Sequence, residues 1–210
     1  MIASETEARS FVREQCGVEA VERFERLEAL LREENRHQNL VSAASLDEVW
    51  TRHFADSVQL LCHVPRETGG LWLDLGTGAG FPGLAIALAS TGFSVVMVES
   101  RRRRCDWLRA AADKLLLANT QVVHSRLEVV DSFPASVISA RAFAPMPKLL
   151  NLSARFSTAD TYWVLPKGRS ARQELDTLPN RAAKLFHVEQ SLTDRDAGII
   201  VGRGFPEGRL

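Results

Sequence analysis

From Gly70 onward the chain alternates short apolar runs with helical patterns, and few architectures accommodate that rhythm. The runs LWLDL, FSVVMVE, TQVVH, SVISA and TYWVL have strand length, and helical patterns begin near Pro82, Arg103, Pro147 and Ser170. Strands separated by helices form right-handed β-α-β units, and therefore a parallel sheet. The end of the chain differs. KLFHVEQSL (184–192) and GIIVGR (198–203) are separated only by TDRDA, a connection short enough for an antiparallel pair. Five parallel strands and a closing hairpin predict an α/β fold, a Rossmann-like sheet of seven strands. The tail GFPEGRL reads as a mobile end.

The segment before this alternation is helical throughout its pattern. Ser4 and Glu7 make a capping box for a short helix that Gly17 ends, and Val21, Phe24, Leu27, Leu30 and Leu31 then share one helical face. NRHQNLVSAAS (35–45) breaks the periodicity. A second capping box, Ser45 with Glu48, opens a third amphipathic helix through Trp50, Phe54, Val58 and Leu61 that ends near Pro65. The division expected is a helical extension over 1–65 packed on a core domain over 66–210.

Composition narrows the setting. With 45% hydrophobic and 25% charged residues in 210, the chain has the profile of a soluble globular protein long enough to bury a core. Its start, MIASETEARS, lacks a basic region followed by an apolar run, and no segment approaches ~18 uninterrupted apolar residues. Cys16, Cys62 and Cys105 are an odd, dispersed set without C-x-x-C, which argues against a disulfide framework or a zinc site. A cytoplasmic protein, with no metal and no membrane, is the expectation. Net charge is zero but unevenly spread: residues 1–70 carry 8 basic and 13 acidic groups. The remainder is net basic, and arginine dominates it, as suits phosphate contacts.

The loop after the first strand reads D-L-G-T-G-A-G-F-P-G from Asp74 to Gly83, and it fits two cofactors. From Gly78 the letters match the dinucleotide pattern G-x-G-x-x-G, which alone is weak evidence. From Asp74 they match a sulfonium-cofactor loop. A pyrophosphate on this turn meets the negative charge of Asp74, whereas the ammonium of S-adenosylmethionine is attracted to it. Pro82 removes an N–H that would otherwise face a phosphate. Glu99 ends the second strand about 20 residues on, where a carboxylate can accept from both ribose hydroxyls of either cofactor. Gly76 and Gly78 let a ligand approach the backbone. After the third strand, Leu127 could flank an adenine and Glu128 meet its amino group; core packing and a solvated helix start account for them equally well.

The target is constrained by what is missing. Arg141-Ala142-Phe143-Ala144-Pro145, after the fourth strand, lacks the N-P-P-Y-like signature of exocyclic amino transfer, and no cysteine nucleophile follows the fourth or fifth strand. Guanine N7, an acceptor that needs no deprotonation, fits such a site.

Taken together, these residues resemble the small-subunit ribosomal RNA guanine-N7 methyltransferase family, also called glucose-inhibited division protein B. The likeness runs in order along nearly the whole chain: Asn35-Arg36, Asn39-Leu40, Arg52-His53, Asp56-Ser57, Asp74 to Gly83, Glu99-Ser100, Arg104, Ser125 to Glu128, Ser139 to Phe143, and Lys167-Gly168. Gln38 and Val41 depart from it, standing where an aromatic and a threonine are common. The resemblance implies methyl transfer from S-adenosylmethionine to N7 of one guanosine in 16S rRNA, with the cofactor held at Gly76, Phe81, Leu127, Glu128 and Arg141. Asp74, Gly78 and Glu99 join that set by spacing.

His53, Arg104 and Lys167 are the candidate RNA contacts, read against plainer roles as a helix histidine, a solvated helix start and a loop support. The expected partner is 16S rRNA or the small ribosomal subunit, met by a monomer. Two other readings stay open at this point: a nicotinamide-dependent oxidoreductase using GAGFPG, and a non-catalytic RNA-binding or ribosome assembly factor.

Overall fold

In the computed structural model, which describes residues 1–206, the alternation resolves into seven strands in one sheet. They are β1 Gly70–Leu75, β2 Phe93–Glu99, β3 Thr120–His124, β4 Val137–Ala140, β5 Tyr162–Gly168, β6 Phe186–Gln190 and β7 Gly198–Arg203. Their order across the sheet is β3-β2-β1-β4-β5-β7-β6. The first five are parallel, and β7 runs antiparallel between β5 and β6. The expected mobile tail falls, from residue 207 on, outside the described residues.

Helices α1 Glu5–Cys16 and α2 Val18–Glu34 precede the sheet. Ser4 caps α1 as the capping box requires, its hydroxyl accepting from the N–H of Glu7. The third helix departs from expectation. The cap is Ser42, not Ser45, and it opens a single short helix, α3 Ala43–Asp47. The chain then winds through a π-helix, Trp50–Ala55, one α turn, α4 Asp56–Val58, and a 3-10 turn, Gln59–His63. Glu5 of α1 accounts for the new start at Trp50: its two carboxylate oxygens accept from the N–H groups of Trp50 and Thr51 at 2.9 and 2.8 Å. A carboxylate supplied from another helix replaces the local cap, and amphipathic spacing cannot reveal it. The remaining helices are α5 Gly83–Ala89, α6 Arg102–Lys114, α7 Met146–Ser153, α8 Ala171–Asp176 and α9 Asn180–Ala183.

Alternate residues of the strands serve two apolar layers. Trp72, Val95, Met97, Val137 and Val164 face a layer built with Phe24, Leu27, Leu31, Trp50 and Phe54 of the first 65 residues. Leu73, Leu75, Val96, Ile138 and Trp163 face the other layer, with Leu149 and Leu150 of α7 and Leu175 of α8. The boundary expected at residue 65 therefore lies inside one continuous apolar layer. Because β7 pairs antiparallel with both β5 and β6, the β6–β7 turn lies at the same end of the sheet as the carboxyl ends of β1 to β5, the end at which ligands bind in open α/β sheets.

Candidate cofactor cleft and its neighbour

The loop after β1 is shaped from beneath. Asp74 is wholly buried. Its Oδ2 accepts from the N–H of Gly83 at 2.9 Å, at the start of α5, and its Oδ1 accepts from the Ser139 hydroxyl on β4 at 2.7 Å. Ser139 in turn accepts from Trp72 Nε1 at 2.8 Å. Burial pushes the Asp74 carboxyl above its usual range, against the hydrogen bonds from Ser139 and Gly83 that hold it down. From the other side Glu99 closes the loop, with Oε2 accepting from the N–H of Gly78 at 3.1 Å and Oε1 from that of Arg101 at 2.8 Å.

Gly76 and Gly78 have φ of +64° and +61°, a conformation strained for any other residue. A Cβ on Gly76 would lie 2.6 Å from the Phe143 ring. On Gly78 it would lie 2.8 Å from the Arg104 guanidinium. The bare backbone of Gly76 therefore lines a cleft of about 370 Å³ bordered by Glu99, Leu127, Glu128 and Phe143. These residues suit an adenosyl group. Each Glu99 oxygen keeps a second lone pair for a hydroxyl, Leu127 offers an apolar face, and Glu128 can accept from an amino group.

A second, larger cleft of about 820 Å³ opens beside it. Arg52, His53, Asp56 and Arg141 form one wall, Lys167 and Glu174 the other, and Thr193 and Asp194 of the β6–β7 turn the far side. The two clefts share Ala142, Phe143 and Ala144 as their partition. Ala142 adopts φ +52°, which turns the chain sharply at the end of β4.

The sequence profile of the GidB family, described as rRNA small subunit methyltransferase G, matches residues 20–198. The chain is 59% identical over 204 residues to ribosomal RNA small subunit methyltransferase G of Erythrobacter litoralis, covering 97% of this chain and 98% of that one. This chain belongs to the GidB family. The protein of the same name from Novosphingobium aromaticivorans is 54% identical over 206 residues, covering 96% of this chain and 89% of that one. Among solved structures, a SAM dependent methyltransferase from Aquifex aeolicus shares the fold at a TM-score of 0.54 and 16% identity, covering 80% of this chain and 96% of that one.

Within this GidB-family chain the expected site residues divide between the two clefts and the core. Gly76, Glu99, Leu127 and Glu128 come together in the smaller cleft, and Gly78 adjoins it through its N–H on Glu99 and its contact with Arg104. Arg104, expected to meet RNA, stands in that cleft as well, because the first turn of α6 carries it over Gly78. Asp74 lies beneath the loop with no exposed surface, so its carboxylate braces the loop instead of facing a ligand. Phe81, expected at the cofactor, is 2% exposed and packs between His53 and Phe54.

Arg141 leaves the expected cofactor set for the larger cleft. Its Nη1 donates to the Arg52 carbonyl at 3.1 Å and to Asp56 Oδ2 at 3.2 Å, and its Nη2 to His53 Nδ1 at 3.1 Å. Three acceptors from the π-helix and the turn after it hold the guanidinium there. His53 is stacked on Phe81 with ring centres 4.9 Å apart. Burial, then the charges of Arg141 and Arg52, lowers its pKa to about 3, so the ring is neutral and is no cation for phosphate. Lys167, expected at RNA phosphate, is 6% exposed at its side chain. Its Nζ pairs with Glu174 at 2.8 Å and donates to the Ala144 carbonyl at 2.7 Å, bracing the partition.

Three contributors stood outside the candidate site residues. Asp56 gathers Arg141, Gln59 and Thr193, Ser139 anchors Asp74, and Phe143 separates the clefts. One had a signal: Ser139 interrupts the apolar run of its strand, VISA. A polar group in such a place has a partner inside.

Proposed function

We propose that this protein transfers a methyl group from S-adenosylmethionine to N7 of a guanosine in 16S rRNA. The observation that carries the reading is the pair of clefts divided only by Ala142, Phe143 and Ala144: one suited to an adenosyl group, the other large enough for a purine nucleotide. Family membership favours methyl transfer over a nicotinamide-dependent oxidoreductase and over a non-catalytic binder. The cofactor supplies an electrophilic methyl group; Gly76, Gly78, Glu99, Leu127 and Glu128 would hold it. No residue is asked to remove a proton, because N7 already presents a lone pair. The chain's contribution is alignment across the partition, with the paired Lys167 and Glu174 and the clamped Arg141 keeping that partition in place. His53 and Arg141 line the substrate cleft as positioning groups, and Asp74 acts through the loop it braces.

The same reading places the protein in the cytoplasm as a monomer whose partner is 16S rRNA or the small ribosomal subunit, with no metal in the reaction. No helix among the described residues is long and apolar enough to cross a membrane. Residues 1–65 serve as the substrate-side wall of a methyltransferase domain formed by 66–210. The decisive experiment is incubation of the protein with labelled S-adenosylmethionine and either 16S rRNA or small subunits, followed by nucleoside mass spectrometry. A single 7-methylguanosine is expected. Its absence from both substrates, with folded protein, sinks the reading.

A further inference from the structure

The smaller cleft has the wrong charge for its proposed occupant. Arg101, Arg104, Arg126 and Lys148 border it, against only Glu99 and Glu128. S-adenosylmethionine carries net positive charge, because its sulfonium and ammonium outweigh one carboxylate. Arg126 is paired with Glu128 at 3.0 Å. Arg101 and Lys148 are exposed, and among the described residues neither side chain is within ion-pair distance of a carboxylate, Lys148 acting on Glu128 only at longer range.

Helix stability does not account for these cations. Arg101 is the N-cap of α6, and Lys148 lies in the first turn of α7. Neither helix has an acidic residue in its first turn. Cations there oppose the helix dipole, which favours carboxylates at that end. Both helices give up local stability to place positive charge along the lining of one cleft. An extended polyanion laid across the mouth satisfies both cations at once and relieves their repulsion of the cofactor.

Resting on the methyl-transfer reading, we propose that the RNA backbone crosses the mouth of the cofactor cleft with phosphates on Arg101 and Lys148. The cofactor must then be seated before RNA arrives, and its product leaves only after RNA has gone. Because RNA cancels the repulsion, the two ligands tighten one another's binding by the same factor. Charge also ranks the small ligands. The free protein prefers S-adenosylhomocysteine, which lacks the sulfonium charge, and bound RNA narrows that preference.

The test combines calorimetry and stopped-flow release of labelled S-adenosylmethionine, with and without a 16S rRNA transcript, at low and moderate salt. RNA is expected to tighten cofactor binding several-fold and slow its release at least tenfold, with both effects shrinking as salt rises. The exposed double variant Arg101→Gln, Lys148→Gln is expected to bind the cofactor as tightly as the parent, or more tightly, and to lose the coupling. Release unaffected by saturating RNA overturns the proposal, as does coupling that persists in the double variant. Product analysis separates the two levels: slowed release without 7-methylguanosine sinks the reaction and leaves the placement standing. Methylation with free cofactor exchange sinks the placement alone.

Discussion

Arg141, at the end of β4, donates to Nδ1 of His53 in the π-helix across 3.1 Å, and an arginine can only donate, so that nitrogen carries no proton. The bond fixes both the tautomer of the ring and its neutrality.

Acid destabilisation follows from this pair. The folded pKa of His53, about 3, lies below its ordinary 6.5. The unfolded chain therefore takes up a proton that the native state refuses. Stability is full above pH 6.5 and is lost as pH falls toward 3, by at most about 1.4 kcal/mol per unit from this group. His53→Gln keeps an acceptor for Arg141 without a titrating ring. Denaturant titrations at pH 7 and pH 5 are expected to show a smaller stability difference in the variant than in the parent.

Asp74→Ala removes acceptors from Gly83 and Ser139 in a site with no water access. From sequence alone, this substitution is expected to abolish cofactor binding and leave the fold largely intact. The buried geometry instead predicts a loss of about 1–3 kcal/mol in stability, because each abandoned donor keeps its desolvation cost. Thermal melting of the free protein checks it, and an unchanged midpoint contradicts the bracing role.

The two loop glycines are expected to behave differently. An alanine at either position is strained by its positive φ, but the neighbours differ. At Gly76 the added methyl meets the Phe143 ring, which is part of the partition, whereas at Gly78 it meets only the tip of Arg104, which can swing away. Gly76→Ala is expected to impair binding in both clefts, and Gly78→Ala in the smaller cleft alone. Calorimetry with S-adenosylhomocysteine and, separately, RNA measures the contrast.

Lys167 provides a control for the phosphate-contacting residues. Lys167→Met leaves Glu174 without its cation and is expected to lower stability by on the order of 2 kcal/mol. The slope of log affinity for RNA against log salt should stay as it was. Lys148→Gln should reduce that slope by about one and barely move the melting midpoint. Exchanged behaviours would reverse the roles assigned here.

How much of this was legible depended on the range of the interactions. The strands were readable because apolar runs and the helices between them are local signals, and β2 and β3 begin and end where FSVVMVE and TQVVH do. The turn at Gly76 and Gly78 was readable because glycine marks positive φ locally. The break of the expected third helix at Trp50 was not legible because the carboxylate that caps the new start, Glu5, stands 45 residues away. Arg141 was expected at the cofactor by resemblance and Lys167 at RNA phosphate, yet the acceptors that claim them, Asp56 and Glu174, are brought near only by the fold. Charge at a cleft was visible in sequence; whether it was already spent was not.

The bracing of the loop between Asp74 and Glu99 also bears on the speed of cofactor capture. A glycine-rich segment free in solution samples many shapes, and ordering it costs roughly 1–2 kcal/mol per residue in backbone entropy. Here hydrogen bonds to Gly78 and Gly83 have met that cost during folding. An incoming ligand finds a finished receptacle, so its association is governed by encounter and charge and not by a slow rearrangement of the chain.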